Sequence, residues 1–180
     1  HATGKYSESM AMRFRRIGAR EHLRLNKPEH SNMPIFGDNG AFSYAKLAQP
    51  PYTTADTIEF YGDGQFTHGC SVDHIIFDFD KNNKSLGDVS KENKQRFDMT
   101  LSLAAEFITA SRDLGDKFTP LGVIQGWSPN SMANAATQLA RMGYQYIAVG
   151  GLVPLTASNV HIALNAIIDA IKQWPSIKLH

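Results

Sequence analysis

Four short segments constrain the fold more than anything else in the chain: PIFGDNGAF (34–42), HGCSVD (68–73), PLGVIQGW (120–127) and YIAVGGL (146–152). Each runs from apolar, β-prone residues into a glycine or a polar group, and a helix-like stretch follows each one. This is the rhythm of β/α units whose strand ends carry the functional groups.

The remaining sequence fits between these segments. Residues 8–25 place Met10, Phe14, Ile17 and Leu25 near helical spacing with arginines between them, which predicts an amphipathic helix that residues 26–32 then break. The first strand is expected over about 33–38. After the proline-rich QPPYTTAD, a helix is predicted from Thr54, capped by Thr53 or Thr54 with Asp56 in its first turn, and ending by Gly62 to Gly64. The second strand is expected over 67–73. The following HIIFDFDKNN reads either as a strand extension or as a packed loop, and the charged KNNKSLGDVSKENK reads as a solvated loop. A long helix is predicted over 91–114 with Phe97, Leu101, Leu103, Ala104, Phe107 and Ile108 on one side, closed by Gly115. A strand (121–125), a helix (130–142) after the Ser128–Pro129 start signal, Gly143 as its C-cap, a strand (146–149), a helix (157–173) and the opening of a fifth strand (177–180) follow.

Repeated β/α units build either an open doubly wound sheet or a closed (β/α)8 barrel. No GxGxxG opens a helix here, which argues against the dinucleotide-binding version. Every candidate polar group falls at the carboxyl end of a strand. The expected class is therefore α/β, part of a (β/α)8 TIM barrel with about four to five units present. The expected organisation is a single partial barrel domain over 1–180, with an arginine-rich helix and linker over 1–32 and the β/α units over 33–180. Half a barrel leaves strand edges unpaired, so the chain is expected to be a fragment or to associate with something.

With 42% hydrophobic and 19% charged residues, the 180-residue chain has ordinary globular usage. A net charge of +1 excludes a uniformly basic nucleic-acid binder, so any such contact must come from a local patch. Arg13, Arg15, Arg16, Arg20 and Arg24 supply one, with Arg13, Arg16 and Arg20 the candidate contacts. No stretch is long and apolar enough to span a membrane, and the opening HATGKYSE has neither an initiating Met nor the apolar core of a signal peptide. One cysteine, Cys70, excludes an internal disulfide and a multi-cysteine zinc site; it is expected to be a small buried residue in a protein of the cytoplasm. Asp78 and Asp80, two apart with no histidine nearby, read as a solvated turn rather than a metal pair. His68 and His74 read as packing or surface groups.

GDNGAFSY resembles the DSGGF-type loop of the tRNA-guanine transglycosylases. SVD resembles their strand-end aspartate, GVIQG their GIVQGG segment, and AVGGL their AIGGL segment, in the same order and at similar spacing. Ser43 in the first motif, Trp127 in the third, the VPL after GGL and the PPY connection depart from the tRNA enzymes. They make the chain look more like the DNA-modifying branch, the DpdA-like 7-deazaguanine transglycosylases. The resemblance implies exchange of guanine in nucleic acid, DNA favoured over tRNA, for a 7-deazaguanine such as 7-cyano-7-deazaguanine. The implied route is a double displacement in which an aspartate attacks the anomeric carbon. It also implies that the family's nucleophile and its structural zinc cluster lie beyond this chain, in which no cofactor or metal site is visible.

A guanine edge offers N1–H and the exocyclic amine as donors and O6 as an acceptor. Asp73 fits the donors, while Gln125 and the backbone N–H of Gly151 fit the acceptor. Gly150 and Gly151 let the backbone approach a flat ring, with Leu152 completing that segment. Asp38 is the candidate catalytic group, a general base or a partner to the reacting sugar. Phe42 and Tyr44 are candidates to stack on a base, with a core role the alternative for Phe42, and Trp127 is a candidate to shape the pocket rim. A strand-end aspartate also serves as a helix cap or loop brace, and Gln125 as a buried hydrogen-bonding residue. Three readings compete with DNA-guanine exchange: a tRNA-guanine transglycosylase, a noncatalytic base-binding module, and a small-molecule barrel enzyme that binds phosphate at Gly150–Gly151.

Overall fold

The computed structural model describes residues 8–180, so the first seven residues of the expected N-terminal segment lie outside the described residues. In chain order the elements are α1 (Glu8–His22), β1 (Phe36–Gly37), α2 (Thr54–Asp63), β2 (His68–Cys70), α3 (Lys91–Ala110), β3 (Thr119–Ile124), α4 (Pro129–Met142), β4 (Tyr146–Val149), α5 (Ala157–Ile171) and β5 (Lys178–Leu179).

Local chemistry sets most of the boundaries. Thr53 accepts from the backbone of Asp56, whose carboxylate takes the Thr53 N–H in return, a reciprocal cap that starts α2. Ser128 and Ser131 do the same for α4, with Pro129 at its first position and Gly143, at φ 100°, closing it. The helix expected over 91–114 is α-helical only to Ala110, and Ser111–Leu114 tighten into a 3-10 turn before Gly115 at φ 74°. Phe97, Leu101, Ala104 and Phe107 form its buried face, whereas Leu103 and Ile108 are half-buried.

Two expectations are corrected. The N-terminal helix is not continuous to 25: Gly18 leaves helical geometry at φ 77°, ψ 165°, and the kink lets Ala19 N–H donate to Gly64 O at 2.7 Å. The second strand ends at Cys70 rather than Asp73. Beyond it the Ser71 hydroxyl accepts the Val123 N–H at 3.1 Å, a side chain standing in for the strand backbone, and the chain leaves the ladder as a loop. That loop, 71–80, packs Ile76 into the core.

The five strands are all parallel and lie in the order β1-β2-β3-β4-β5, each paired with the next in sequence. A doubly wound sheet would reverse direction at a switch point; this one does not. The helices pack in succession, α1 on α2, α2 on α3, α3 on α4 and α4 on α5. Alternation along β3 divides the core: Ile124 joins Leu101, Leu139 and Ile167 on the helical side, while Leu121 and Val123 join Ala148, Phe36 and Tyr146 on the other.

The second face is strongly concave. The Phe36 ring of β1 stacks on His68 at 4.2 Å and on His180, just past β5, at 4.9 Å. In a flat sheet β1 and β5 would stand about 19 Å apart, four strand spacings. The sheet therefore rolls until side chains from its two edge strands touch.

On the convex side, Tyr61 of α2 lies flat over paired glycines of β1 and β2, Gly37 and Gly69. A Cβ at either would come within 2.4 Å of the ring, and the Tyr61 hydroxyl lies 3.0 Å from the carbonyls of both Gly37 and Cys70. Gly69→Ala is expected to destabilise the protein by about 2 kcal/mol or more, because neither the ring nor the adjacent Phe118 has room to retreat. Chemical denaturation checks it, and unchanged stability would contradict this packing.

Candidate active site

The carboxyl ends of β1 to β4 open onto one cleft of about 310 Å³. Asp38 and Phe42 come to it from the β1 loop, Asp73 from the chain after β2, Gln125 from the end of β3, and Gly150 and Gly151 from the end of β4. The sheet roll converges these groups, which lie more than a hundred residues apart in sequence.

Asp73 is the most constrained of them. It is 3% exposed, and each carboxylate oxygen takes an amide hydrogen: Oδ1 from Asn39 Nδ2 at 2.7 Å and Oδ2 from Gln125 Nε2 at 2.6 Å. Burial pushes its carboxyl up to about 6, and the nearby Asp38 charge adds to this, while the two amides oppose it by stabilising the ionised form. Asp38 is exposed on the cleft wall. The cleft thus holds two carboxyl groups in unlike surroundings, one nearly buried and one exposed.

Gln125 braces as well as lines the cleft. Its Oε1 accepts the Ile76 N–H at 3.1 Å and one Nε2 hydrogen goes to Asp73, so one amide hydrogen is what it has left to offer. Gly150 is required by this arrangement: a Cβ there would lie 2.3 Å from Gln125 Nε2. Gly151, at φ 74°, turns the chain along the cleft. Burial and the two carboxylates push the Cys70 thiol up to about 12, which keeps it protonated and unreactive, and the residue is half-buried rather than buried.

Several residues singled out from sequence lie elsewhere. Trp127 is 3% exposed and packs edge-on against Phe97 in the helical-side core, so it is not a rim residue; its backbone N–H donates to Ser131 Oγ at the start of α4. Leu152 packs against the same core rather than lining the cleft. Tyr44 is buried with its hydroxyl 2.8 Å from Asp73 O, a brace rather than a stacking surface. Phe42 is 73% exposed, which settles the choice against a core role, and meets Phe77 edge-on at 5.9 Å. None of Arg13, Arg16 and Arg20 lines the cleft. Arg20 instead ties the linker to α1 by donating to His30 O and Met33 O, and Arg15 pairs with Glu59 and Asp63 of α2, while Arg13 and Arg16 are exposed. His74 is fully buried, its Nε2 2.7 Å from Leu47 O. Asp78 accepts from Asn93 Nδ2, and among the described residues no three His, Cys, Asp or Glu side chains are grouped to hold a metal ion. No helix of the described residues is long and apolar enough to cross a membrane.

Sequence reasoning missed Asn39 and Phe77. In sequence Asn39 is only a neighbour of Asp38 and Gly40 in the GDNGAFSY loop, and Phe77 only one apolar residue of the ambiguous HIIFDFDKNN run.

No family model matches the chain. A curated relative named "DNA-guanine transglycosylase", from Salmonella montevideo, is 38% identical to it over 176 residues, which cover 97% of this chain and 41% of the relative. The chain thus spans less than half the length of that relative.

The raised carboxyl of Asp73 has a consequence for stability. Because its pKa rises from 3.8 to about 6 on folding, its contribution is fully present below about pH 4 and is lost as pH rises through 6. Relative to Asp73→Asn, the protein is expected to lose about 2 to 3 kcal/mol between pH 4 and pH 7.5. Denaturation of both proteins at the two pH values measures it, and a gap that does not change with pH would contradict the burial argument.

Proposed function

We infer, from the 38% identity to a DNA-guanine transglycosylase and from the groups gathered in the cleft, that the chain belongs to the guanine transglycosylase superfamily and carries the base-recognition site of an enzyme that exchanges guanine in DNA for a 7-deazaguanine such as 7-cyano-7-deazaguanine. The observation that carries this reading is Asp73. A nearly buried carboxylate at the wall of the cleft, with one amide hydrogen on each oxygen, keeps about two acceptor positions for a partner that offers two adjacent N–H groups. The N1–H and exocyclic amine of guanine are such a pair.

The other groups fall into complementary places. The Gly150 N–H is already bonded to Ile124 O, which leaves the Gly151 N–H and the second Gln125 amide hydrogen to meet the base oxygen. Phe42 stands at the mouth to cover the ring face. Asp38, exposed on the same wall, faces the sugar side as a general base or a hydroxyl partner. In the exchange, a carboxylate oxygen bonds to the anomeric carbon as the bond to guanine N9 breaks, and the incoming base reverses the step through its own N9. The attacking carboxylate is not assigned to Asp38 or Asp73. Sequential parallel strand order and the rolled sheet support a (β/α)8 barrel of which these strands are part. A target base in duplex DNA would reach the cleft by leaving its stack.

Two features weigh against phosphate binding at Gly150–Gly151. Two carboxylates face the cleft, and among its described lining residues there is no lysine or arginine. The experiment, on the full reading frame that contains this chain, is exchange of labelled guanine and of 7-cyano-7-deazaguanine into duplex DNA and tRNA in parallel, with Asp73→Asn beside the unaltered protein. Label is expected in DNA and at least 100-fold less with the variant. Label in tRNA alone would overturn the DNA assignment. No exchange into either by folded protein would overturn the transglycosylase reading.

A further inference from the structure

We propose that Asn39 is a positioning residue of this site, a strut that makes the Asp73 carboxylate and the loop carrying Asp38 and Phe42 one rigid unit. The proposal deepens the reading of Asp73 as the base-recognising group and rests on it.

Asn39 is 5% exposed and is not part of the cleft lining, so it acts through other groups rather than on the base. Its side chain has two N–H donors and one oxygen with two lone pairs, and every one has a neighbour. Nδ2 lies 2.5 Å from Ser71 O and 2.7 Å from Asp73 Oδ1, both on the chain after β2. Oδ1 accepts the Ala41 N–H at 3.0 Å and lies 3.1 Å from the Tyr44 hydroxyl, both on the loop after β1. Gly40, at φ 74°, gives the left-handed step that returns the Ala41 N–H onto the side chain two residues before Ala41. The Asn39 carbonyl takes the Tyr52 hydroxyl, so its backbone is held as well.

The consequence is geometric. With Asn39 on one oxygen and Gln125 on the other, the Asp73 carboxylate cannot rotate about its Cβ–Cγ bond without breaking a buried charge-assisted hydrogen bond. Its remaining lone pairs are therefore aimed before any base arrives. Because Asp38 immediately precedes Asn39, the same amide anchors the backbone from which the Asp38 side chain projects. A serine hydroxyl at this position is too short to reach both strand ends, and an aspartate would set carboxylate against carboxylate.

Two measurements test the strut. The first needs no variant and no ligand: in the unaltered chain, the Asn39 side-chain amide signals in a nitrogen–proton NMR spectrum should shift with pH at the midpoint of Asp73, near 6. Signals that ignore that titration overturn the strut whatever the protein binds. The second is equilibrium binding of 7-cyano-7-deazaguanine between pH 5 and pH 8. Asn39→Ala should weaken binding about tenfold at pH 7.5, because the base must then order the carboxylate that the amide held in place, and should move the acidic midpoint upward by about one pH unit. A uniform loss of affinity with an unmoved midpoint would show a merely structural residue and overturn the proposal, as would unchanged binding. If Asn39→Ala does not fold, Asn39→Ser is read by the same titration. Failure of the unaltered chain to bind the base, with the amide signals following Asp73, would overturn the base-recognition reading rather than the strut.

Discussion

A carboxylate removed from water can stay useful only if its surroundings replace what water gave it. At Asp73 the replacement comes from two amides borne by different strand ends, Asn39 after β1 and Gln125 at the end of β3. Much of the local sequence serves that arrangement. Gly150 is small so that Gln125 can lie against it, Ile76 offers its N–H to the far side of the same amide, and Tyr44 and Tyr52 pin the loop that carries Asn39. The result is a site built from the ends of parallel strands, yet stiff enough to keep a carboxyl in an environment that raises its pKa.

The roll of the sheet brings these ends together. Paired glycines on β1 and β2 let Tyr61 lie against the convex side, and the stack of Phe36, His68 and His180 fills the concave side. Burial, together with Lys178 and His180, lowers the pKa of His68, which disfavours its cationic form in this layer. The cleft then sits on top of the concave layer, with its groups facing one another instead of spreading along a flat edge.

The elements legible in sequence were those set by local chemistry. The caps at Thr53 and Ser128, the closing Gly143 and the apolar run of β4 could be read because a few adjacent residues decide them. The strand-end groups Asp38, Asp73, Gln125, Gly150 and Gly151 were also legible, and the fold gathers them in one cleft. Residues whose role depends on distant partners were not. Trp127 reads as a rim residue until its ring meets Phe97 in the core, Arg20 as a phosphate contact until the linker folds over it, and Asn39 as a loop neighbour of Asp38 until Ser71 and Asp73 come into reach. The kink at Gly18 depends in the same way on Gly64, which lies just past the end of α2.

The central claim, that this cleft takes a guanine-type base through Asp73, is tested most directly by a crystal structure of the chain with 7-cyano-7-deazaguanine at pH 7.5. The account predicts the base in the cleft with its N1–H and exocyclic amine on the two Asp73 oxygens, its ring beside Phe42, and Asn39 and Gln125 unmoved. A base bound elsewhere, or bound in the cleft with Asp73 still turned only to its two amides, would contradict it.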